Sequence, residues 1–467
     1  MTLAADVAVI GAGPAGCVLA IRLVQLGWRV LLVERSASPR PQSGQSLTPG
    51  VRLQLAQLGL SHVLTLCGAR PAPLSRIRWQ GLEAEDRVMA QHPPLLVDRG
   101  RFDAMLRGAA VGAGVRLLCP ARLIHRDQDA DGWTLTLDDG AERRRARVSV
   151  LVDATGRAGL LARDRSADGP ATLALFADWR GTDTPVHPCV DHGPDHWVWG
   201  LPRGDGLFST LLFVDADAVP KRAELCAFLR DRLAASTLLG DFRQATTTGP
   251  VRGVDSTAYR ANRPIGPGWI AVGDAAMALD PLSSSGVQKA IRTALSAAIV
   301  LNTRLRRPDQ AALAERFYTE DLRDGADQHR RWTEGFFASA AHRFSATPTQ
   351  GNFWLRRAVG TLVDSADTTP GMPDPDQPLT LAPAAQWRTT ACLVDNFVEE
   401  RMALHHPALA RPIAWLAGVE LAPLMSSFPP VTSLRALIEN WSTRIGPSRA
   451  TTVATWLTRC GVLETAP

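Results

Sequence analysis

Lysine is almost missing from this chain. Of its 51 basic residues only Lys221 and Lys289 are lysines, and the other 49 are arginines. The arginines are scattered along the 467 residues, and the formal net charge is only +5. A surface that binds nucleic acid collects its cations on one face or along one helix. We therefore interpret the arginine excess as a composition effect and expect no nucleic-acid partner.

Paired cysteine motifs are also missing. The chain has no C-x-x-C pair and no regular cysteine spacing. Disulfide frameworks and structural zinc sites both need such patterns. We expect reduced, mostly buried thiols, no metal site and a reducing, cytoplasmic compartment. The seven cysteines are Cys17, Cys67, Cys119, Cys189, Cys226, Cys392 and Cys460.

Long apolar runs are absent too. A membrane-spanning helix needs about 18 or more consecutive apolar residues, and the best candidate, residues 412–428, contains Glu420 and two prolines. The first apolar run, Val7 to Ile10, reads as the first strand of the fold and not as an export signal. We expect a soluble protein without a membrane partner. At 467 residues the chain is too long for one core, so two or three domains are expected.

A glycine-rich turn follows that first strand, before residues with helical apolar spacing. In such a strand–turn–helix unit the first glycine allows a tight turn, the second lets a pyrophosphate approach, and the third lets helix and strand pack closely. A second buried strand ends at Glu34, where an acid is placed to bind a ribose hydroxyl. The pattern predicts a Rossmann-type dinucleotide site. Its residues are Gly11, Gly13, Pro14, Ala15 and Gly16, with Glu34 and Arg35.

A second motif, within residues 269–290, indicates which dinucleotide is bound. Gly273 and Asp274 end an apolar strand, which places the Asp274 carboxylate to accept hydrogen bonds from a ribityl chain. A helix then begins after a serine-rich segment, and a helix start offers free N–H groups and a positive dipole end. These suit the carbonyl edge of an isoalloxazine ring, so we predict FAD as the cofactor. The segment contains Pro281, Ser284, Ser285, Gly286 and Val287.

The remaining patterns alternate between two kinds of segment. A helix begins near Arg99, and another buried strand ends at Asp153, as in a cofactor domain, so Asp153 is a candidate cofactor-binding residue. Between about residues 164 and 268 the strands lengthen and alternate with period two, which is typical of an antiparallel sheet. We predict an α/β protein, α+β overall, in which a β-sheet substrate domain is inserted into a Rossmann-type FAD-binding domain. The expected domains are 1–60, 96–163 and 269–300 for FAD; 61–95 and 164–268 for substrate; 301–383 as a helical segment and linker; and 384–467 as a C-terminal helical module.

The C-terminal module is predicted to contain successive amphipathic helices. They cover residues 395–404, 409–421, 434–444 and 451–461, with a winged-helix-like cadence near Trp456 and Leu457. A Pro- and Asp-rich stretch, residues 365–383, is predicted to be the linker before them. A module for recognising a large substrate and a dimerisation or lid domain are both open interpretations.

These segments resemble the FAD-dependent monooxygenases of the para-hydroxybenzoate-hydroxylase fold, over roughly residues 1–345. They are most similar to the tryptophan-halogenase and geranylgeranyl-reductase branch, because residues 197–202, WVWGLP, are similar to its W-x-W-x-I-P strand. The resemblance implies that Glu34 holds the adenosine ribose, Arg99 the pyrophosphate region and Asp274 the ribityl chain. It further implies that residues 281–287 hold the flavin ring, and that Gln45 and Ser46 lie in the loop that folds over the flavin.

One departure from this branch argues against halogenation. Halogenases use a lysine between the glycine motif and the Arg99 helix, whereas residues 36–98 contain none. An arginine cannot replace it, because a guanidinium does not deprotonate. The resemblance then implies hydroxylation of an electron-rich, indole-type ring through a peroxyflavin, with O2 as co-substrate. No second G-x-G-x-x-G follows a strand, so the electrons are expected from transiently bound NAD(P)H or from a separate reductase partner.

The substrate residues are less well determined. Trp197 and Trp199 share one face of a predicted strand, and Trp179 lies on a neighbouring predicted strand. They are candidates for an aromatic wall that stacks a planar substrate, with sheet core as the alternative. His196 is a candidate base, although a histidine at the start of a strand is more often structural.

Several functions remain open from the sequence. The extra module and the missing lysine resemble the FAD monooxygenases that mature tryptophan-derived quinone cofactors, such as the cysteine tryptophylquinone of quinohemoprotein amine dehydrogenase. In those enzymes the substrate is a tryptophan within another polypeptide. The alternatives are a small-molecule aromatic hydroxylase, a flavin halogenase, a geranylgeranyl-reductase-like flavin reductase and a non-enzymatic escort protein of the same fold.

The missing lysine leads to a first prediction. In a reconstituted turnover with reduced flavin and O2, adding chloride or bromide should leave the product unchanged, because residues 36–98 contain no lysine amine to handle hypohalous acid. Mass spectrometry of the product checks this. A halogenated product would overturn the argument.

Overall fold

The computed structural model describes residues 2–37, 45–79, 83–181, 185–204, 206–236, 238–239, 242, 245–344, 352–358, 374–409 and 411–466. The chain divides into two compact units. The first contains residues 1–298 and 325–361, and the second contains residues 299–324 and 362–467. The finer division of the first unit into cofactor and substrate domains stays a prediction.

The cofactor sheet is a mainly parallel, six-stranded sheet in the first unit. Its central strands are short runs of valine, leucine and isoleucine that are buried throughout, as expected for a parallel sheet covered on both faces. The carboxyl ends of parallel strands lie at one edge, which brings together the residues that follow them. In order across the sheet the strands are Ile265–Gly266, Trp269–Ala271, Val150–Asp153, Val7–Ile10, Val30–Val33 and Arg116–Leu118, the first pairing antiparallel.

A four-stranded sheet is formed by segments that are close in sequence to the cofactor strands. It consists of a hairpin, Arg122–Asp129 with Gly132–Asp138, then Arg143–Val148, which pairs in parallel with Thr2–Ala4. The first unit also contains two small sheets. One contains Arg165–Ala167, Tyr259–Ala261 and Met277–Ala278, and the other contains Ser46–Leu47, Leu95–Leu96 and Arg70–Pro71.

The large sheet is the predicted antiparallel insertion. Its three long strands, Thr172–Arg180, Leu207–Asp215 and His196–Gly204, are neighbours in that order. Alternate residues face two separate cores: Phe176, Trp197 and Phe213 lie in one, while Trp179 and Leu212 lie in the other. Both faces of the sheet are therefore buried. The remaining strands are Thr246–Thr247, Arg252–Asp255, Cys189–Gly193, Leu74–Ile77 and Glu85–Val88.

Helices cover the sheets and form much of the chain after residue 286. The α-helices are Pro14–Gln25, Gly50–Gln57, His62–Leu66, Arg99–Gly112, Leu225–Ala234, Gly286–Arg306, Ala311–Phe344, Asn352–Leu355, Leu421–Met425, Leu434–Ile445 and Pro447–Arg459. Short 3-10 helices occur at Gly156–Ala158, Ala216–Ala218, Arg222–Glu224, Gly273–Ala275, Pro281–Ser283 and Pro308–Gln310. The mixture of helices with a Rossmann-type sheet confirms the predicted fold class.

The second unit has its own core around the fully buried Trp441, which packs among Leu404, Leu437 and Leu457. Its helices Leu434–Ile445 and Pro447–Arg459 confirm two of the predicted C-terminal helices. Three-stranded pairing joins Thr432–Ser433, Pro378–Leu381 and Leu463–Thr465. The strand at 378–381 lies inside the predicted linker, whose residues 365–373 fall outside the described residues. The winged-helix likeness stays a prediction.

The other two predicted C-terminal helices are wrong. Gln386–Val394 and Phe397–His405 form a hairpin, and Trp415–Leu416 pairs with Val419–Glu420. The turn residues explain the error: Asp395 has a φ of 51°, and Ala417 and Gly418 have φ values of 51° and 74°. Two-residue turns with positive φ select hairpins, and cross-strand pairing outweighs an amphipathic spacing that is ambiguous in short segments.

Within the described residues, no helix combines the length and apolar character that crossing a membrane requires. All seven cysteines are free, and Cys17, Cys67 and Cys189 are buried. The same part of the chain has no group of three or more His, Cys, Asp or Glu side chains suited to a metal ion.

Candidate flavin and substrate site

The glycine turn joins the strand Val7–Ile10 to the helix Pro14–Gln25. Gly11 has a φ of 107°, and a Cβ on it would lie 2.3 Å from the carbonyl oxygen of Ala154. A Cβ on Gly16 would lie 1.9 Å from the carbonyl oxygen of Gly11. Both positions exclude a side chain, so the turn and the loop after Asp153 are in direct backbone contact.

Gly13 serves a different purpose. Its φ of −78° suits any residue, and no atom lies within 4 Å of the position that a Cβ would take. The helix that begins after it has Pro14 at its first position and no side-chain cap. Uncapped N–H groups and the positive end of the helix dipole favour an anion. The open space and the free N–H groups fit a dinucleotide pyrophosphate.

The Glu34 carboxylate is held beside this turn by main-chain donors. Its Oε2 accepts a hydrogen bond from the N–H of Ala12, and its Oε1 accepts one from the N–H of Ser36, both at 2.9 Å. Glu34 directly follows the buried strand Val30–Val33. Its position at the end of that strand is the one expected for the ribose-binding acid. Arg35, the next residue, is exposed.

Asp153 organises the loop that follows it. Its Oδ1 accepts hydrogen bonds from the N–H and the Oγ1 of Thr155, at 3.1 and 2.6 Å. Its Oδ2 accepts from the N–H groups of Leu160 and Leu161, at 2.6 and 2.8 Å. The side chain is fully buried. Asp153 therefore shapes the loop that packs on Gly11, and its contact with the cofactor stays a prediction.

Asp274 lies in a 3-10 turn at the end of the strand Trp269–Ala271. Gly273, with a φ of 61°, is packed so tightly that a Cβ on it would lie 2.9 Å from the Cβ of Ala15. The second motif therefore contacts the first turn of the glycine-motif helix. The Tyr259 hydroxyl donates to the main-chain oxygen of Asp274 at 2.6 Å, which fixes the turn.

The Asp274 carboxylate forms an ion pair that the sequence reasoning missed. Lys289 Nζ lies 2.5 Å from Asp274 Oδ1 and 2.5 Å from the main-chain oxygen of Met277. Burial alone would raise the pKa of Asp274, but Lys289, Arg157 and Arg99 together hold it below the usual range. The carboxylate is therefore ionised. The signal that could have found the pair is Lys289 itself, one of two lysines in the chain.

The ring loop, residues 281–285, precedes the helix Gly286–Arg306. Asp280 accepts a hydrogen bond from the N–H of Leu282 at 2.9 Å and so starts the turn Pro281–Ser283. Ser284 has a φ of 53°, and the Oγ atoms of Ser283 and Ser285 lie 2.6 Å apart. Nothing lies within 4 Å of a Cβ on Gly286. The helix start thus borders open space at Gly286, and Val287 is buried. The contact of these residues with a flavin ring stays a prediction.

The segment that begins at Gln45 contacts this loop. Ser284 Oγ donates to the main-chain oxygen of Ser46 at 3.4 Å, and Thr48 Oγ1 donates to Gln288 Oε1 at 2.5 Å. The Gln45 and Ser46 side chains are buried. Ser46 therefore lies against the segment assigned to the flavin ring, and Gln45 directly precedes it.

Arg99 begins the helix Arg99–Gly112, which Asp98 caps by accepting from the N–H of Arg101 at 2.9 Å. Its guanidinium pairs with the Asp103 carboxylate at 3.3 Å, and only 11% of its side chain is exposed. Because Arg99 also lowers the pKa of Asp274, the structure brings its charge near the ribityl candidate.

The predicted aromatic wall is mainly sheet core. Trp197 is buried and stacks on Phe213 with ring centroids 3.9 Å apart, and Trp79 packs against its edge. Trp199 is half-buried against the same core. Trp179 lies on the opposite face, and the strand Leu207–Asp215 separates its strand from that of Trp197. The three tryptophans therefore do not form one wall, because alternation fixes a face but not what covers it.

His196 is paired with a neighbouring carboxylate. It is buried, and its Nδ1 lies 2.7 Å from Asp195 Oδ1. Arg232 binds the other oxygen of Asp195 at 2.7 Å. The hydrogen bond from His196, with Arg232 in support, lowers the pKa of Asp195 to about 2. The role of His196 as a base stays a prediction.

A cavity of about 350 Å³ opens beside Gln45. Leu96, Leu201, Pro202 and Leu207 contribute apolar walls, and Arg203, Asp98, Arg70 and Arg101 contribute charges. Ser209 hydrogen-bonds to Asp178 and lies 3.5 Å from Gln45 Oε1, while Arg203 pairs with Asp98 at 2.9 Å. Charged and polar side chains therefore line much of this cavity, and apolar residues line the rest.

Residues 4–211 match the family model described as FAD binding domain. The chain is a flavin-dependent oxidoreductase. Its similarities are to the flavin-dependent monooxygenases and halogenases, and it binds FAD.

Three proteins illustrate these similarities. The 1H-pyrrole-2-carbonyl-[peptidyl-carrier protein] brominase of Pseudoalteromonas luteoviolacea is 27% identical over 63% of this chain and 76% of its own length. The solved structure of peptidyl tryptophan dihydroxylase QhpG, essential for tryptophylquinone cofactor biogenesis, is 29% identical with a TM-score of 0.72, covering 98% of this chain and 99% of QhpG. The flavin-dependent halogenase CmlS shares the fold, with 22% identity, a TM-score of 0.78 and coverage of 99% and 96%.

The glycine geometry gives a paired prediction. Gly13→Val should leave the fold intact but abolish FAD binding, because its side chain fills open space that the pyrophosphate needs. Gly16→Val should destabilise the protein, because its Cβ meets the Gly11 carbonyl. The flavin absorbance of the purified variants and the Tm of their FAD-free forms separate the effects. Stoichiometric FAD in Gly13→Val would contradict the assignment.

Asp280 gives a pH prediction. Burial raises its pKa to about 6, against 3.8 when unfolded. The folded state thus favours the protonated acid, and this stabilisation is lost as pH rises from about 4 to about 6. Asp280→Asn keeps the cap acceptor but cannot ionise. Between pH 5 and pH 7.5 the wild type should therefore lose about 1 kcal/mol more stability than the variant, as measured by thermal unfolding. Parallel pH profiles would contradict this assignment.

Proposed function

We propose that this oxidoreductase is an FAD-dependent monooxygenase that adds oxygen to a tryptophan side chain within a polypeptide during quinone-cofactor biogenesis. The observation that carries the proposal is the correspondence with QhpG, at 29% identity over 98% of this chain and 99% of QhpG. That correspondence includes the second unit. The brominase aligns with only 63% of this chain, so it gives less support for the parts of the chain that QhpG covers in addition.

The second unit does not by itself identify the substrate. The halogenase CmlS also spans 99% of this chain, so a C-terminal unit of this kind occurs with a halogenase fold. The argument for oxygenation over halogenation rests on the lack of a lysine in residues 36–98. Lys289 does not supply the missing amine, because its Nζ is buried and engaged by Asp274 and Met277.

FAD, when bound, supplies the activation of O2 and the transfer of oxygen to the ring. The roles of the chain are to bind, orient and exclude water. In the proposed arrangement Gly13 admits the pyrophosphate, Glu34 binds the adenosine ribose and Asp274 binds the ribityl chain. The N–H groups at Gly286 and Val287 face the flavin ring, whose carbonyl edge gains from the helix dipole.

The cavity beside Gln45 is the proposed place for the aromatic side chain. Gln45 joins it to the ring loop through Ser46, so a ring in this cavity lies next to the flavin segment. Leu201 and Leu207 provide apolar surface for an indole, and Gln45 provides a buried amide for the indole N–H. We propose that the electrons come from NAD(P)H or a reductase partner and that the protein acts in the cytoplasm.

The test uses the full-length, FAD-loaded protein with NADH, a flavin reductase and O2. Three substrates are compared: free tryptophan, N-acetyltryptophanamide and the tryptophan-containing polypeptides encoded next to this protein's gene. We expect a mass gain of one or two oxygen atoms, located on a tryptophan of a polypeptide. Gly13→Val is the matched control, because it should keep the fold without the cofactor.

Other outcomes identify the competing functions. Oxygenation of free tryptophan at full rate, with every polypeptide unchanged, would indicate a small-molecule hydroxylase. A halogen on the product would indicate a halogenase, and reduction of a double bond without oxygen uptake would indicate a reductase. Each of these results would end the proposal of a polypeptide substrate.

A further inference from the structure

Lys289 stands out by its position. It lies in the first turn of the helix Gly286–Arg306, and only 3% of its side chain is exposed. Its ammonium donates to Asp274 Oδ1 and to the Met277 main-chain oxygen, both at 2.5 Å. It therefore connects the helix start, the strand Met277–Ala278 and the turn of Asp274.

The composition of the chain makes a lysine at this position unusual. Arginine supplies 49 of the 51 basic side chains, yet a lysine occupies the most enclosed cationic position near the cofactor segments. An ammonium is a compact point charge, whereas a guanidinium is a wide planar fork. Two acceptors that converge at 2.5 Å on one nitrogen match the ammonium.

The pair is also unequal in exposure. The Lys289 side chain is 3% exposed, whereas the Asp274 side chain is 40% exposed. The charge of Lys289 thus lies behind the carboxylate, and the carboxylate faces open space. Among the described residues, Oδ1 of Asp274 has Lys289 as its partner and Oδ2 has no hydrogen-bond partner, so one oxygen is anchored and the other is available.

Stability alone does not account for this arrangement. Burying a lysine ammonium costs several kcal/mol, and a buried ion pair is often no more stabilising than apolar residues of the same volume. In such a pair, the outward-facing carboxylate oxygen is an ionised hydrogen-bond acceptor that is held in a fixed orientation. Such an acceptor suits a ligand hydroxyl, because hydrogen bonds to an ionised group are stronger than those to a neutral one.

We propose that Lys289 is a positioning residue for the flavin. It fixes Oδ1 of Asp274 so that Oδ2 points to a ribityl hydroxyl. Lys289 itself acts through Asp274 and does not need to touch the cofactor. This inference rests on the assignment of Asp274 to the ribityl chain and is independent of the reaction proposed above.

The experiment measures FAD affinity of the full-length protein after removal of the flavin. The variants are Lys289→Met, Lys289→Arg, Asp274→Asn and the double variant Lys289→Met/Asp274→Asn. FAD is titrated by the quenching of its fluorescence, and the Tm of each FAD-free protein is measured in parallel. Lys221→Met is the matched control, because it removes the only other lysine, which is exposed.

We expect Lys289→Met and Asp274→Asn each to weaken FAD binding by about tenfold or more, the size of one lost charge-assisted hydrogen bond. The double variant should bind about as weakly as the worse single variant, because the two residues act as one unit. Lys289→Arg should not restore the affinity, and Lys221→Met should match the wild type.

Two results would overturn the proposal. If Lys289→Met lowers the Tm of the FAD-free protein but keeps wild-type affinity, the pair is only a structural link. If the double variant loses the product of the two single losses, Lys289 acts independently of Asp274. If Lys289→Met does not fold, the double variant is compared with Asp274→Asn, because the double variant leaves no unpaired buried charge. A further tenfold loss of FAD affinity in the double variant would contradict the proposal. None of these measurements involves a substrate, so they stand apart from the test of the reaction.

Discussion

Direct backbone contact at the carboxyl edge of the cofactor sheet is the constraint on which the site depends. Gly11 and Gly16 admit no side chain because the carbonyl groups of Ala154 and Gly11 occupy that space, and Gly273 is similarly close to Ala15. Three segments separated by more than a hundred residues are thereby held within one contact distance of each other. This packing fixes the distances between Glu34, the open space beside Gly13 and Asp274, which are the candidates for binding the ribose, the pyrophosphate and the ribityl chain.

Charge is arranged around that frame in a consistent way. The acids assigned to the cofactor, Glu34 and Asp274, are each anchored from behind, one by main-chain N–H groups and the other by an ammonium. Asp153, which resembles them in sequence position, has both oxygens filled by its own loop. Main-chain N–H groups therefore fix Glu34 and much of Asp153, whereas a side-chain cation fixes Asp274.

Much of the cofactor site could be predicted because its requirements are local. A turn that excludes Cβ atoms demands glycine, and an acid at a strand end is readable from spacing alone. The pairing of Lys289 with Asp274 could not be predicted in this way. The sequence spacing does not show that the start of one helix and a 3-10 turn meet at the same buried position. The presence there of one of only two lysines in the chain was the available signal.

The errors elsewhere have equally physical causes. Alternation along residues 196–202 correctly indicated a strand, but the partners that bury Trp197, such as Phe337 and Trp354, come from a distant part of the chain. In the second unit, Ser433 caps the helix Leu434–Ile445 and made it predictable, whereas residues 397–405 pair as a strand because Asp395 and Asn396 turn the chain back on itself.

The burial of the large sheet on both faces limits how such a protein can change its substrate. Substitutions of the buried residues along the three long strands alter the volume of one of two close-packed cores and cost stability. Pro202, Arg203 and Gln45 also border the cavity but lie outside both cores, near the end of the strand His196–Gly204 and just before the strand Ser46–Leu47. Selectivity in this architecture can therefore diversify at the rim of the sheet while its tryptophan-rich interior stays constant.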